Sequence, residues 1–364
     1  MNYTKAELKL IWLDSFIGLE YKIKKDIYEV ISDAQDVKAA IESCKEYIVA
    51  NSGERTYETI SCSLNRVYTD FLTDGLDRRG IKAITLASSD YPEKLLNTEI
   101  PPLVLYAKGD TELLKEKTFG MVGSRKSLPV AVNTAKSFAK ELSDAGFALV
   151  TGIAEGVDSA VIEGALDGSG KVISVVGGGL DRVYPASNAS LIKRVTEKGL
   201  ALAEYPPEVK PERFMFPVRN RIIAGLSDGV LIVSGGKKSG TLYTAEYAEE
   251  YGRELFAVPY GVGVESGEGC NDLIKRGAML CDSPSDILNY YGVEKKKKTI
   301  TLTAEEKNVI EILKDGAKHI EEISRILKRE TYEVLTVLSV LEIKGAVVKN
   351  GVNVYGLVLT ESEV

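Results

Sequence analysis

Glycines followed by charged or hydroxyl side chains recur at four places in this 364-residue chain. They read G-S-R at Gly123, Ser124 and Arg125; T-G-I-A-E-G-V-D over 151–158, led by Gly152; and G-G-G-L-D over 177–181. The fourth, S-G-G-K-K-S-G-T over 234–241, holds Lys237, Lys238, Ser239, Gly240 and Thr241. Each follows a short apolar run and precedes a helix-length segment. Glycine lets backbone N–H groups approach an anion closely, and a helix N-terminus adds partial positive charge. One such turn is a weak signal, because glycines also merely end strands; four in register point to a phosphate or nucleotide crevice. A fifth stretch, F-M-F-P-V-R-N-R-I-I-A-G-L-S-D-G over 214–229, places Arg219, Asn220 and Arg221 just after Pro217, a residue suited to a helix start. Two guanidinium groups beside an amide suit phosphate clamping, and Phe214 and Phe216 suit stacking on bases. The same stretch also reads as an amphipathic helix start with solvated arginines and core phenylalanines.

Most catalytic and cofactor chemistries lack their residues. G-x-G-x-x-G is absent from the first turn, and GGKKSGT is not a G-x-x-x-x-G-K-[ST] loop, so dinucleotide and NTP-hydrolysing readings lose weight. No cofactor is expected. His319 is the single histidine, which excludes two-histidine metal sites and sets any Ser–His–Asp triad far from the glycine turns. The carboxylates nearest the turns are Asp158, Asp181, Glu204 and Glu246; none forms an acidic pair at metal-ligand spacing, and capping of helices is their ordinary role. Cys44, Cys62, Cys270 and Cys281 form no C-x-x-C pair, which argues against zinc or a disulfide framework and fits a reducing cytoplasm. No apolar run of about 18 residues and no secretory pattern stand in the chain, so neither a membrane span nor export is expected. The net charge of −7 is spread as −2 over residues 1–85, −5 over 86–292 and zero over 293–364. A polyanion must therefore be held in a local pocket rather than on a broad basic face.

The elements that must carry these turns are legible. Apolar periodicity at Leu8, Ile11, Trp12, then at Ile23, Ile27, Val30, Ile31, marks residues 1–85 as a small helical domain. From 86 to 292 short apolar β-rich runs, among them FGMVG, FALVTG, VISVVGGG, VLIVSGG and LFAVP, alternate with helix-length segments. That alternation predicts an α/β fold with a doubly wound parallel sheet and helices on both faces. Ligands bind outside the carboxyl ends of such strands, where the glycine turns lie. EKKKK marks a solvated linker over 293–299. Residues 300–364 read as three helices, the first with a Thr303/Glu306 capping box, and a hairpin around Asn350–Gly351, a winged-helix pattern. The third of these helices, 331–345, is mostly apolar with Glu333, Glu342 and Lys344, which favours packing or partner binding over insertion into a DNA groove.

The order DYP, IPPLVLYAKGD, VGSR, TGIAEGVD, GGGLDRVYP, AEYPP, FPVRNRIIAGLS, KKSGTLYTAEYA, GRELFAVP and GCNDLIKRGA over about 88–290 resembles the DprA/Smf family. The flanking segments resemble its SAM-like helical domain and its winged helix, and the core its Rossmann-like domain. The resemblance implies a non-enzymatic cytoplasmic protein that binds and protects single-stranded DNA and loads the RecA recombinase during natural transformation, as a homodimer. On matching positions Gly123, Ser124 and Arg125 would hold a phosphate, with Arg219, Asn220 and Arg221 in the same pocket. Lys237, Lys238, Ser239, Gly240 and Thr241 would stand on the facing loop. The chain departs from the family at Glu155, where a basic residue is common, at Ile162 in place of a histidine, and at Ser234 in place of a glutamate. Two alternatives remain open: a LOG-like phosphoribohydrolase, though its P-G-G-x-G-T-x-x-E loop is poorly matched, and a nucleotide-sensing DprA-like protein.

Overall fold

The computed structural model describes residues 3–67, 71–294 and 302–357. The chain forms two compact units, Met1–Glu294 and Lys295–Val364. The lysine run Lys295–Lys298 lies outside the described residues.

The first unit opens with α1 (Lys5–Asp14), α2 (Tyr21–Ile31), α3 (Val37–Ser43), α4 (Lys45–Ser52), α5 (Glu54–Cys62) and α6 (Phe71–Arg79). Thr4 and Glu7 close a capping box on α1. The apolar stripe Ile23, Ile27 and Ile31 of α2 is buried with Trp12, Leu13, Ile41, Ile48 and Ile60. These helices do not stand apart from the sheet. Leu10, Ile11 and Leu76 belong to the apolar cluster that covers one of its faces. The Tyr106 hydroxyl donates to Asp14 Oδ2 at 2.9 Å, and the Ala83 N–H donates to the Tyr3 hydroxyl at 2.9 Å.

Among the described residues the sheet has nine strands: β1 (Lys82–Thr85), β2 (Val104–Gly109), β3 (Thr118–Gly123), β4 (Ala148–Thr151), β5 (Val172–Val176), β6 (Leu200–Ala203), β7 (Gly229–Ser234), β8 (Glu254–Ala257) and β9 (Met279–Leu280). Their order is β1-β2-β6-β5-β4-β3-β7-β8-β9. Strands β3 to β9 pair in parallel throughout, while β1 and β2 add an antiparallel edge beside β6. The sheet thus begins at residue 82, inside the segment read as purely helical. At this edge β1 pairs with β2, and β2 with β6, both antiparallel, with the four-residue α7 (Glu93–Leu96) in the connection between β1 and β2.

The parallel strands are joined by α8 (Pro129–Asp144), α9 (Val157–Asp167), α10 (Ala189–Lys198), α11 (Met215–Leu226), α12 (Leu242–Glu250) and α13 (Glu268–Lys275); α14 (Pro284–Tyr290) closes the unit. Alternate strand residues feed two cores. Leu149 and Leu231 pack with α8 and α9, whereas Val150 and Ile232 pack with α11 and α12. Both faces are covered, as the continuous apolar runs require. The chain leaves β3 for β4 on one side and later returns to β7 on the other, so the winding reverses at β3. The expected doubly wound core is present, with its switch point at the G-S-R turn.

The second unit holds α15 (Ala304–Leu313), α16 (Ile320–Leu327) and α17 (Thr331–Ile343), with β10 (Lys318–His319), β11 (Val347–Gly351) and β12 (Val354–Leu357) in the order β10-β12-β11. This is a winged helix. The Thr303/Glu306 capping box forms, and Glu306 also takes the Lys344 ammonium at 2.7 Å. The hairpin is displaced from the Asn350–Gly351 tip read in the sequence. Gly351 pairs with Val354, so the tip is Val352–Asn353, with Asn353 in the left-handed region (φ 57°) and the register shifting between Lys349 and Gly351.

No helix among the described residues is long and apolar enough to cross a membrane.

Candidate functional site

At the carboxyl ends of β3, β4 and β7 lies a crevice of about 750 Å³. Its floor is the turn after β3. The Ser124 N–H donates to Ser234 O (3.0 Å) and to Ser234 Oγ (3.2 Å), and Ser127 Oγ lies 2.7 Å from Ser234 Oγ. The buried Ser234 thereby ties the turns after β3 and β7 together. Gly156 closes the facing side; its φ of 81° and the approach of the Ser124 and Arg125 carbonyls, 2.7 Å from where a Cβ would stand, admit only glycine.

Four cations line the crevice: Arg125, Lys126, Arg213 and Arg219. Arg125 and Lys126 are exposed on the first turn, and Arg213 precedes α11. None of these three makes a direct ion pair with a carboxylate among the described residues. The Arg125 guanidinium lies over the Phe216 ring, 5.0 Å from its centroid. Gly177 packs against the same ring, 2.8 Å from where a Cβ would stand. Phe216 is therefore a support for Arg125 rather than the open stacking face the sequence suggested. Phe214 is exposed outside the crevice wall.

Arg219 is buried and held from several directions. Its Nη1 donates to Val175 O, and its Nε donates to Asn220 Oδ1 at 3.1 Å. Beside it stands the buried Asp158, which accepts from the Ala154 N–H at 3.3 Å. Burial pushes the Asp158 carboxyl up, against the opposing pull of Arg219 and of backbone donors. Gly152 lies beneath this pair and does not line the crevice; a Cβ there would collide with Asp158 Oδ2 and the Arg219 guanidinium. Asn220 donates through Nδ2 to Gly240 O at 3.3 Å, which fixes α11 to the loop after β7. That loop brings Ser239, Gly240 and Thr241 to the wall.

Besides Gly152, three residues expected at the phosphate site stand outside the crevice wall. Arg221 points away from it and pairs, buried, with Glu204 through Nη2. Side chains two positions apart on a helix face opposite ways, so Arg219 and Arg221 cannot share one pocket. Lys237 and Lys238 are exposed on the loop after β7 but do not line the crevice. Conversely, Lys126, Tyr184 and Arg213 line it and were not singled out in the sequence. The signals were a lysine next to G-S-R and an arginine one residue before F-M-F-P; nothing marked Tyr184.

The N-terminal turns of α9, α11 and α12 all contribute to this wall or abut it. Their peptide dipoles add partial positive charge to that of the side chains. The crevice is thus a cationic pocket in an acidic chain.

Residues 82–292 match the family described as DNA recombination-mediator protein A, and residues 293–350 match the DprA winged helix domain. The chain belongs to the DprA/Smf family. It is 40% identical over 210 residues to the DNA processing protein DprA of Bacillus subtilis, an alignment covering 57% of this chain and 71% of that protein. With Protein Smf of Synechocystis it shares 34% over 248 residues, 67% of this chain and 62% of the relative. Among solved structures, DprA of Streptococcus pneumoniae superposes with a TM-score of 0.68 at 29% identity, covering 79% of this chain and 98% of that one. DprA of Helicobacter pylori, whose structure is described for its single-stranded DNA binding mode, superposes at 0.53 and 31%, covering 58% of this chain and 95% of that one. DprA/Smf membership places the chain among DNA-processing proteins of recombination.

Proposed function

We propose that the crevice binds the backbone of single-stranded DNA and that the protein hands the strand to a RecA-type recombinase without chemical turnover. The observation that carries this is the convergence of Arg125, Lys126 and Arg213, which make no direct ion pair with a carboxylate among the described residues, with three helix N-termini at the switch point of the sheet. Phosphate contacts of this kind are indifferent to sequence and weaken linearly on a log–log salt plot. A crevice rather than a convex basic face suits a flexible strand better than a stiff duplex. Anisotropy of labelled single- and double-stranded oligonucleotides across a salt series tests this. The single strand is expected to bind more tightly at every salt concentration; equal or tighter duplex binding would contradict the reading and shift the DNA-binding role to the winged helix.

No turnover is expected at the crevice. Hydrolysis needs a positioned acid–base group or a metal to activate water. Asp158 is engaged by Arg219 and the Ala154 N–H, Glu204 by Arg221, and Asp181 by Arg79 at 2.7 Å, while Glu246 is exposed outside the crevice wall. Chromatography of AMP, ATP and an oligonucleotide incubated with protein and Mg²⁺ is expected to show no products. Release of base, phosphate or shortened DNA that disappears in Asp158→Asn would establish an enzyme instead. Homodimerisation and delivery to RecA complete the proposal; light scattering and RecA filament growth on the bound strand test them.

A further inference from the structure

We propose that Glu155 reads the base edges of the bound strand and favours bases that carry an exocyclic amine. This rests on the single-stranded DNA reading above and concerns which strands the crevice prefers.

A side lobe of about 50 Å³ adjoins the crevice, and its walls include Arg125, Tyr184, Phe216, Arg219 and Glu155. Among the described residues Glu155 is the one acidic residue of the lobe. Its carboxylate is exposed and oriented: Oε1 accepts from Ser187 Oγ at 2.8 Å, and Oε2 has no partner among the described residues. The carboxylate offsets the pull of Arg125 and Arg219 on phosphates in the lobe, whereas Arg125, Lys126 and Arg213 attract them in the main crevice, so the lobe is left to a neutral group. The lobe also offers a stacking surface. Tyr184 is 51% exposed, with its ring centroid 5.8 Å from that of Phe216, whose own face is covered by Arg125. A base that leaves the stack lies on Tyr184 and turns its edge into the lobe, which admits an edge and not a whole ring.

The edge chemistry is set by the acceptor. An ionised carboxylate only accepts hydrogen bonds. Cytosine offers its N4 amine, adenine its N6 amine, and guanine its N1–H and N2 amine. Uracil and thymine flank their single N3–H with two carbonyl oxygens, whose lone pairs oppose the carboxylate. Glu155 therefore selects amine-bearing bases on a site that otherwise ignores sequence.

Oligo-dC and oligo-dU of equal length, at mildly alkaline pH where oligo-dC stays unfolded, isolate the amine from the carbonyl. Titrated against the full-length protein, oligo-dC is expected to bind about fivefold more tightly or better. In Glu155→Gln, whose amide both donates and accepts, and in Glu155→Ala, the ratio is expected to fall close to one, mainly through tighter binding of oligo-dU. A structural role for Glu155 would move both affinities together and leave the ratio in place. Equal affinities in the wild type, or a ratio preserved in both variants, would overturn the proposal while leaving an Arg125-dependent affinity for both strands intact. Failure of either strand to bind at all would overturn it together with the reading on which it rests.

Discussion

Arg219 and Arg221 leave α11 in directions about 200° apart, which two residues of a 3.6-residue turn dictate. The first reaches the crevice above Asp158; the second is 6% exposed and buried against Glu204. In the sequence both arginines read as a phosphate clamp, because R-N-R names the chemistry but not the face. Only the arrival of Glu204, at the end of β6, reveals which arginine is structural. Glu204 Oε2 and Arg221 Nη1 are buried without further partners among the described residues, so the pair depends there on a single contact. Removing one member leaves an uncompensated buried charge, which costs about 3–5 kcal/mol. Arg221→Ala is therefore expected to lower the urea midpoint by that equivalent, whereas the exposed Arg125 is expected to tolerate alanine with little change in stability. An Arg221→Ala protein as stable as the wild type would show that the pair does not anchor α11. Gly152 carries the same lesson from the other side: it was legible as part of a phosphate turn, yet its place is to make room for Asp158 and Arg219.

Helices and strands of the core were legible wherever an apolar run ended in glycine or proline, since buried parallel strands and helix starts both leave that mark. Two elements were not. β1 is four residues long and comes after a helix without a distinctive boundary, so its pairing with β2 is a tertiary event. The hairpin tip moved from Asn350–Gly351 to Val352–Asn353, because the asparagine at 353 can also take the left-handed conformation and a register shift absorbs the preceding residue. The start of α15, by contrast, formed as read, and it has a pH signature. Lys344 and the Thr303 N–H hold the Glu306 carboxyl below its ordinary value of 4.5. A depressed carboxyl contributes stability that is full above 4.5 and is lost as pH falls through its folded value. Glu306→Gln, which keeps the capping geometry but loses the charge opposite Lys344, is expected to open the α15 amides to hydrogen exchange by about 0.5–1 kcal/mol near neutral pH. That difference from wild type is expected to shrink once the pH drops below 4.5. A gap between the two proteins that stays constant on acidification would contradict the assigned partners.

Over the whole molecule, the net charge of −7 forbids a broad nucleic-acid face and leaves a concentrated one. The crevice meets that requirement by placing three cations, none in a direct ion pair among the described residues, at the point where the sheet reverses its winding. Of the four glycine turns read in the sequence, those after β3, β4 and β7 supply residues to the crevice wall, and the one at 177–181 does not. The exact cations were less legible, because Lys126 and Arg213 gain their meaning only when the turn after β3 and the start of α11 meet in space. The affinity of a labelled oligonucleotide across a salt series, for wild type and Arg125→Ala, tests most directly the proposed grip of this pocket on the phosphates of a single strand. Loss of one phosphate contact is expected to weaken binding to every sequence and to make the log–log slope shallower by about 0.7. A folded Arg125→Ala protein with unchanged affinity and unchanged slope would contradict the account.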